Sequence, residues 1–280
     1  MNKVMLLLIF FFFFLANAGD ANVPSKFSVI TFAISKYEKN WQDDLPLAKE
    51  TANALVNSFK NNLSDNYPKV SFSSKQYTDS EVTRERFQGT ETNNYNFVFY
   101  HGHGGPNRIT MWNQNKRIWH SGDVSEKSFG GKTYWALFNS CRVFKNGESN
   151  QEYWFNGIHS ILGFSSASPW YKKKRNCGIL NLGTCYYYSY FAERDFATNW
   201  IDGKQGIAMA FFNAVNKWIC NNGGYGVQPK IVYRYGYVDG KFFDPWEETF
   251  ENSIQKSVFK NPGDYTGIGS RWVTLGTPDY

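Results

Sequence analysis

A three-layer α/β/α sandwich around a mostly parallel central sheet is the fold this sequence predicts, and three observations predict it. Short, nearly continuous apolar runs, Phe27 to Ile34, Asn96 to Tyr100 and Tyr134 to Phe138, are bounded by Gly, Ser and Asn, as strands buried on both faces are. Longer stretches with apolar residues every three or four positions, Leu47 to Phe59 and Ile207 to Trp218, alternate with such runs and read as helices lying on the sheet. Apolar residues are spread evenly along 280 residues with no linker, which favours one large domain.

Each element follows from local signals. Phe27 to Ile34 is the first strand. Asp43-Asp44-Leu45-Pro46 opens a helix, with acids near its start and proline in its first turn, and Leu47, Thr51, Leu55 and Phe59 form its buried stripe. Asn62-Leu63-Ser64 just beyond is an N-glycosylation sequon. A second strand runs from Val70 to Tyr77, and a short charged helix from Ser80 to Phe87 leads by Gly89 into the strand Asn96 to Tyr100. Arg108 to Trp112 and Lys116 to Trp119 flank an Asn-rich turn and read as a hairpin. Tyr134 to Ser140 is the next buried strand, and the end of Trp154 to Phe164 a fifth. A long loop from Ser165 to Cys185 carries the basic run Lys172-Lys173-Lys174-Arg175. Asp202-Gly203-Lys204-Gln205 has the form of a capping box for the helix that stops at Asn221 to Gly224. Ile231 to Val238 is the last strand, and 239–280 reads as an irregular tail.

Composition bounds the function. Lys3 precedes the apolar stretch Val4 to Ala16, and Ala16-Asn17-Ala18 supplies a small-residue cleavage pattern, so residues 1–18 read as a signal peptide and 19–280 as a secreted domain. The apolar stretch is shorter than the roughly 20 residues a bilayer span needs, and no membrane contact is expected after signal removal. Removing Lys3 takes 30 basic residues to 29 against 24 acidic, a net charge of +5, too mild and too dispersed for a nucleic-acid binder. Of the four cysteines, Cys177 and Cys185 flank a short loop and make the most plausible disulfide; Cys220 reads as a small buried hydrophobe. Cys141 is then free in an oxidising compartment, which calls for a chemical reason.

That reason lies in the residues around it. The strand ending at Tyr100 runs into His101-Gly102-His103-Gly104-Gly105, and the strand ending at Ser140 runs into Cys141-Arg142. Two neighbouring parallel strands deliver an imidazole and a thiol to the same sheet edge, where open α/β sheets keep their chemistry. A thiol attacks as its thiolate, and an adjacent imidazole both favours that form and protonates the departing amine. Gly102-His103-Gly104-Gly105 and Ser140-Cys141-Arg142, each closing a hydrophobic block, resemble the caspase-like cysteine peptidases: caspases, metacaspases, legumain, clostripain and gingipain. The resemblance implies a caspase-like fold over Phe27 to Val238, His103 and Cys141 as catalytic dyad, and the backbone N–H groups of Gly104 and Cys141 as oxyanion hole. His101, Gly105, Asn139 and Ser140 support them. The substrate is then a peptide or protein, with strict preference for the residue before the cut, and no cofactor or metal is required.

Other readings use the same residues. A non-catalytic relative would bind a peptide or glycan in the same crevice, drawing on a chain that is 19% aromatic. His101-Gly102-His103 also has the His-x-His form of a metal pair, though Gly105 stands where such sites often place an acid. His120 and His159 read as structural histidines. The basic run at Lys172 to Arg175, if an exposed loop, is an easy target for maturation by cleavage.

Overall fold

The computed structural model describes residues 23–38, 44–106, 108–113, 117–119, 129, 131–145, 154–166, 168, 172–177, 183–188, 190–220, 226–254, 256, 258–259 and 264–275. The segment read as a signal peptide, His120 and the helix stop at 221–224 lie outside the described residues. In chain order the elements are β1 (Lys26–Ala33), α1 (Ala48–Asn66), β2 (Ser71–Thr78), α2 (Arg84–Gln88), β3 (Phe97–His101), β4 (Gly104–Gly105), β5 (Arg108–Thr110), β6 (Arg117–Trp119), β7 (Trp135–Asn139), β8 (Ser160–Phe164), β9 (Lys172–Cys177), β10 (Gly183–Tyr188), α3 (Tyr190–Ile201), α4 (Ile207–Cys220), β11 (Pro229–Val238), β12 (Lys241–Phe243) and β13 (Gly267–Trp272).

The central sheet has the order β12-β11-β8-β7-β3-β1-β2, with β13 also on β11. Its core, β2, β1, β3, β7 and β8, is parallel, whereas β11 runs antiparallel to β8, β12 and β13. This is the mostly parallel α/β sandwich that the alternation of strands and helices predicts. Every residue of β3, β7 and β8 is buried, because both faces are covered. On one face Phe27, Phe97, Phe99, Trp135 and Leu137 pack against α1, α3 and α4 through Leu55, Phe59, Phe196, Trp200 and Phe211. On the other, Ile30, Phe32, Val98, Tyr100 and Phe138 are covered by the short α2, by Ile109 of β5 and by irregular chain that contributes Val82, Met111 and Trp154. Among the described residues the long helices therefore lie on one face of the sheet only.

Several local expectations need correction. The first helix begins at Ala48, after a turn in which the Leu45 N–H reaches the Ser35 carbonyl at 2.9 Å. Asn62 lies within that helix, not beyond it, and its amide donates to the Ser58 carbonyl at 2.7 Å and to Thr198 of α3 at 3.2 Å, so the sequon is engaged in helix packing. The charged helix divides into a 3-10 turn, Asp79–Glu81, and α2, with the Thr83 hydroxyl capping α2. The loop read between Ser165 and Cys185 contains an antiparallel ribbon of β9 and β10, so Lys172 to Arg175 stands in a paired strand. Asp202 belongs to the end of α3, where its N–H bonds back to the Thr198 carbonyl, and α4 is entered at Gly206, whose carbonyl accepts from the Ala210 N–H. The tail, finally, is not irregular throughout, since β12 and β13 extend the sheet.

Gly267 and Gly269 of β13 face Tyr235 and Tyr233 directly across the ladder. A Cβ at either glycine would fall within 2.6 and 2.7 Å of the opposing ring, so the strand has to be glycine-rich for the rings to lie across it. Among the described residues, no helix is long and apolar enough to cross a membrane.

Candidate active site

Because β1, β3 and β7 are parallel, they end at the same edge of the sheet. Their register sets His101 opposite both Ala33 and Asn139, so His103 and Cys141 each follow two residues beyond a paired position. Beyond the strands the chain stays tied: the Ile34 N–H donates to the His101 carbonyl, and the Thr110 N–H to the His103 carbonyl, both at 2.9 Å. Gly104 then lies against the second strand end. A Cβ there would stand 2.0 Å from Ser140 Oγ and 3.0 Å from the Cys141 carbonyl oxygen, so only glycine admits this approach. Gly104 pairs with Ile109 across the β4–β5 ladder. Since the bond next to this pair runs from Thr110 to His103, Gly104 and Ile109 form a non-hydrogen-bonded pair, and the Gly104 N–H points away from β5.

Both histidines of the motif are accounted for by their surroundings. The His103 ring, partly exposed, stacks on Tyr37 with centroids 4.9 Å apart, and the His103 N–H donates to the Tyr37 hydroxyl at 2.5 Å. Burial drives the Tyr37 phenol far above its ordinary range, with the nearby Cys141 charge acting in the same direction, so the phenol stays neutral. The Tyr100 hydroxyl donates to the Thr110 carbonyl at 2.5 Å and lies 3.1 Å from that of His103. His101 is fully buried on the helix-covered face beside Phe99. Burial, then the charge of His103, holds its pKa well below the ordinary imidazole value, so it remains neutral. Of the two, His103 is the one that reaches the surface.

The cysteine loop is held by the end of β8. Arg142, at φ 56°, takes the left-handed conformation uncommon for a side-chain-bearing residue, while its N–H donates to the Ser166 carbonyl at 2.7 Å. The Phe144 N–H donates to Phe164 at 3.0 Å. Cys141 is a free thiol, partly exposed, and the Ser168 N–H donates to its sulfur at 3.4 Å. Behind it, Ser168 Oγ donates to Asn139 Oδ1 and Asn139 Nδ2 donates to Glu193 of α3. Burial raises the Glu193 carboxyl to about 8. Ser140 Oγ is buried with no hydrogen-bond partner among the described residues.

The structure thus gathers His103, Gly104, Asn139, Ser140 and Cys141 at one edge; His101 lies beneath them and Gly105 closes the turn into β5, opposite Arg108. Cys177 and Cys185 are elsewhere, in the β9–β10 ribbon, where Cys177 is opposite Gly183 and Cys185 opposite Arg175; their side chains lie outside the described residues. His159 is buried far along the sheet, at the start of β8, between Glu248 at 2.9 Å and the Lys256 carbonyl at 2.8 Å, in a structural role. Among the described residues no group of three His, Cys, Asp or Glu side chains is arranged to hold a metal ion. Sequence reasoning missed Tyr37, Ser168 and Glu193. The first lies past the carboxyl end of β1 among polar neighbours that give no sign of a buried ring; the other two are brought in by chain distant from either motif.

The family described as "Domain of unknown function (DUF6345)" matches residues 32–215. No curated protein matches the chain. Among solved structures, pro-sf-caspase-1 is 9% identical with a TM-score of 0.45, covering 73% of this chain and 83% of that one. Caspase-1 from Spodoptera frugiperda is 8% identical with a TM-score of 0.41, covering 71% and 78%.

Proposed function

The chain belongs to the DUF6345 family, and from that premise, which carries no activity, we propose that it is an exported cysteine endopeptidase in which Cys141 and His103 cleave peptide bonds. The observation that carries this reading is the aligned register of β3 and β7, with Gly104 seated on Ser140 and Cys141. Export is supported by the apolar segment Val4 to Ala16 and its Ala16-Asn17-Ala18 cleavage pattern.

In this mechanism the Cys141 thiol gives its proton to the His103 imidazole, and the sulfur attacks the peptide carbonyl carbon. The carbonyl oxygen, now negative, is met by the Gly104 and Cys141 N–H groups. The first of these is directed away from β5, as such a role requires. His103 then protonates the departing amine, leaving a thioester on Cys141. Water, giving a proton to His103, releases the acid and restores the thiol. Tyr37 holds the imidazole from one side by stacking, and its hydroxyl accepts the His103 backbone N–H, so the ring and its backbone are fixed by the same residue.

A peptidyl chloromethyl ketone tests the reading. It should alkylate Cys141, identified by mass spectrometry, and His103→Ala should slow that reaction by about 100-fold or more. If Cys141 stays unmodified by a panel of such peptides, or if His103→Ala reacts as fast as the parent, the endopeptidase reading fails and a non-catalytic peptide or glycan crevice replaces it.

A further inference from the structure

We propose that Glu193 is a positioning residue for the Cys141 nucleophile, acting through Asn139 and Ser168; the inference rests on the peptidase reading above. The three side chains form one connected line at the end of β7. Asn139 Nδ2 donates to Glu193 Oε1, and Asn139 Oδ1 accepts from Ser168 Oγ. Both ends of the amide are therefore used, and it cannot turn over without breaking both bonds. Ser168, fixed by its hydroxyl, presents its N–H to Cys141 Sγ at 3.4 Å. A hydrogen bond to sulfur favours the thiolate and sets the direction of its lone pairs.

All three members are buried: Asn139 is 1% exposed, Ser168 5% and Glu193 6%. A carboxyl in this position is unfavourable for packing alone, since an apolar side chain of its size avoids the desolvation it incurs. Glu193 Oε2 has no hydrogen-bond partner among the described residues, Oε1 accepts from Asn139, and burial outweighs what the carboxyl gains from its own backbone N–H. The charged groups nearby do not neutralise it. Arg194 and Lys217 both engage Asp195, at 2.9 and 2.6 Å, and the buried His101 on β3 is held neutral. Toward the site, among the described residues, the line runs through the Asn139 amide and the Ser168 hydroxyl and backbone N–H to the Cys141 thiol. The carboxyl, raised to about 8, is accordingly a neutral acid at pH 7 that accepts from Asn139 through its carbonyl oxygen. A glutamine reproduces that acceptor and cannot ionise.

The test is the rate at which iodoacetamide alkylates Cys141 in the full chain, a reaction that needs no substrate pocket, followed by mass spectrometry from pH 6 to 9.5. At pH 7 Glu193→Gln should stay within about twofold of the parent, whereas Glu193→Ala and Ser168→Ala should be slower by about fivefold or more. Above pH 8.5 the parent should fall behind Glu193→Gln, because its newly ionised carboxylate opposes the thiolate. A role confined to packing would not produce that divergence. Ser168→Ala keeps the backbone N–H and removes one hydroxyl, so it decides the matter where Glu193→Ala does not fold. A folded Ser168→Ala reacting at the parent rate overturns the proposal, as does a Glu193→Gln profile that superimposes on the parent's. Failure of the peptidase reading looks different: it shows as His103→Ala matching the parent toward the peptidyl chloromethyl ketone.

Discussion

At Gly104 a single hydrogen atom in place of a methyl group determines whether two loops touch. The built Cβ would lie 2.0 Å from Ser140 Oγ and 3.0 Å from the Cys141 and Arg108 carbonyl oxygens, and two of those three atoms are backbone. Gly104→Ala should therefore move the histidine loop off the cysteine loop, destabilise the protein by about 1–3 kcal/mol and lower chloromethyl ketone labelling of Cys141. Urea denaturation and the labelling rate check the two effects separately, and an alanine variant that matched the parent in both would show that the contact is dispensable. The residues that carry this contact were readable in the sequence because each lies beside a strand end marked by glycine or serine. Tyr37, Ser168 and Glu193 were not, since a stacking partner or a buried acid announces itself only once distant chain is brought together. Tyr37 stood among Ser35, Lys36 and Glu38, polar neighbours that gave no reason to expect a buried ring.

Among the elements, α3 changes the picture most. Its stripe of Ala192, Phe196, Ala197, Trp200 and Ile201 is buried, and Ser58 of α1 donates to the Arg194 carbonyl at 2.9 Å. Trp200 sits at the centre of this face, with ring centroids 5.0 Å from Trp135, 6.0 Å from Phe59 and 5.8 Å from Phe250. Trp200→Ala should cost about 3–5 kcal/mol in chemical denaturation, because the rings that surround it belong to different elements and cannot all close the gap. A loss below about 1 kcal/mol would mean that this face repacks freely. The helical period is present in the sequence but follows Tyr186-Tyr187-Tyr188, a run whose aromatic content favours strand and obscures the start of the helix. The C-terminal strands were hidden for another reason. β12 has three residues, and β13 alternates glycine with polar and apolar residues because its faces are set by the tyrosines of β11 rather than by its own side chains. Local pattern thus revealed the parallel core, buried on both faces, and failed wherever a strand depends on its partner.

For the whole molecule, buried and paired carboxyls set how stability varies with pH. Glu193 has a folded-state pKa raised to about 8, so between about 4.5 and 8 the folded chain keeps a proton that the unfolded chain has released. Stability then falls as pH rises through that window, by at most about 1.4 kcal/mol per unit, and Glu193→Gln removes the slope. Asp79 and Asp195 act in the opposite sense. Lys49 and the Ser35 and Lys36 N–H groups outweigh burial at Asp79, and Lys217, Trp218 and Arg194 do so at Asp195, so both carboxyls are held low and lose their contribution as acid protonates them. Urea midpoints measured from pH 4.5 to 8.5 should decline in the parent relative to Glu193→Gln, and parallel curves would mean that the buried acid is already ionised.

The stacked arrangement of Tyr37 on His103 also gives the molecule a built-in reporter. The chain has four histidines, so few imidazole Cε1 protons appear in a proton NMR spectrum; among the described residues His103 and His159 both stack on a tyrosine, at 4.9 and 5.2 Å, and of these two His103 is the one partly exposed. Ring-current shielding displaces its resonance for as long as the two planes remain together. A non-aromatic small molecule that slides between the phenol and the imidazole announces its arrival as a downfield shift, without a chromophore, a label or a known substrate.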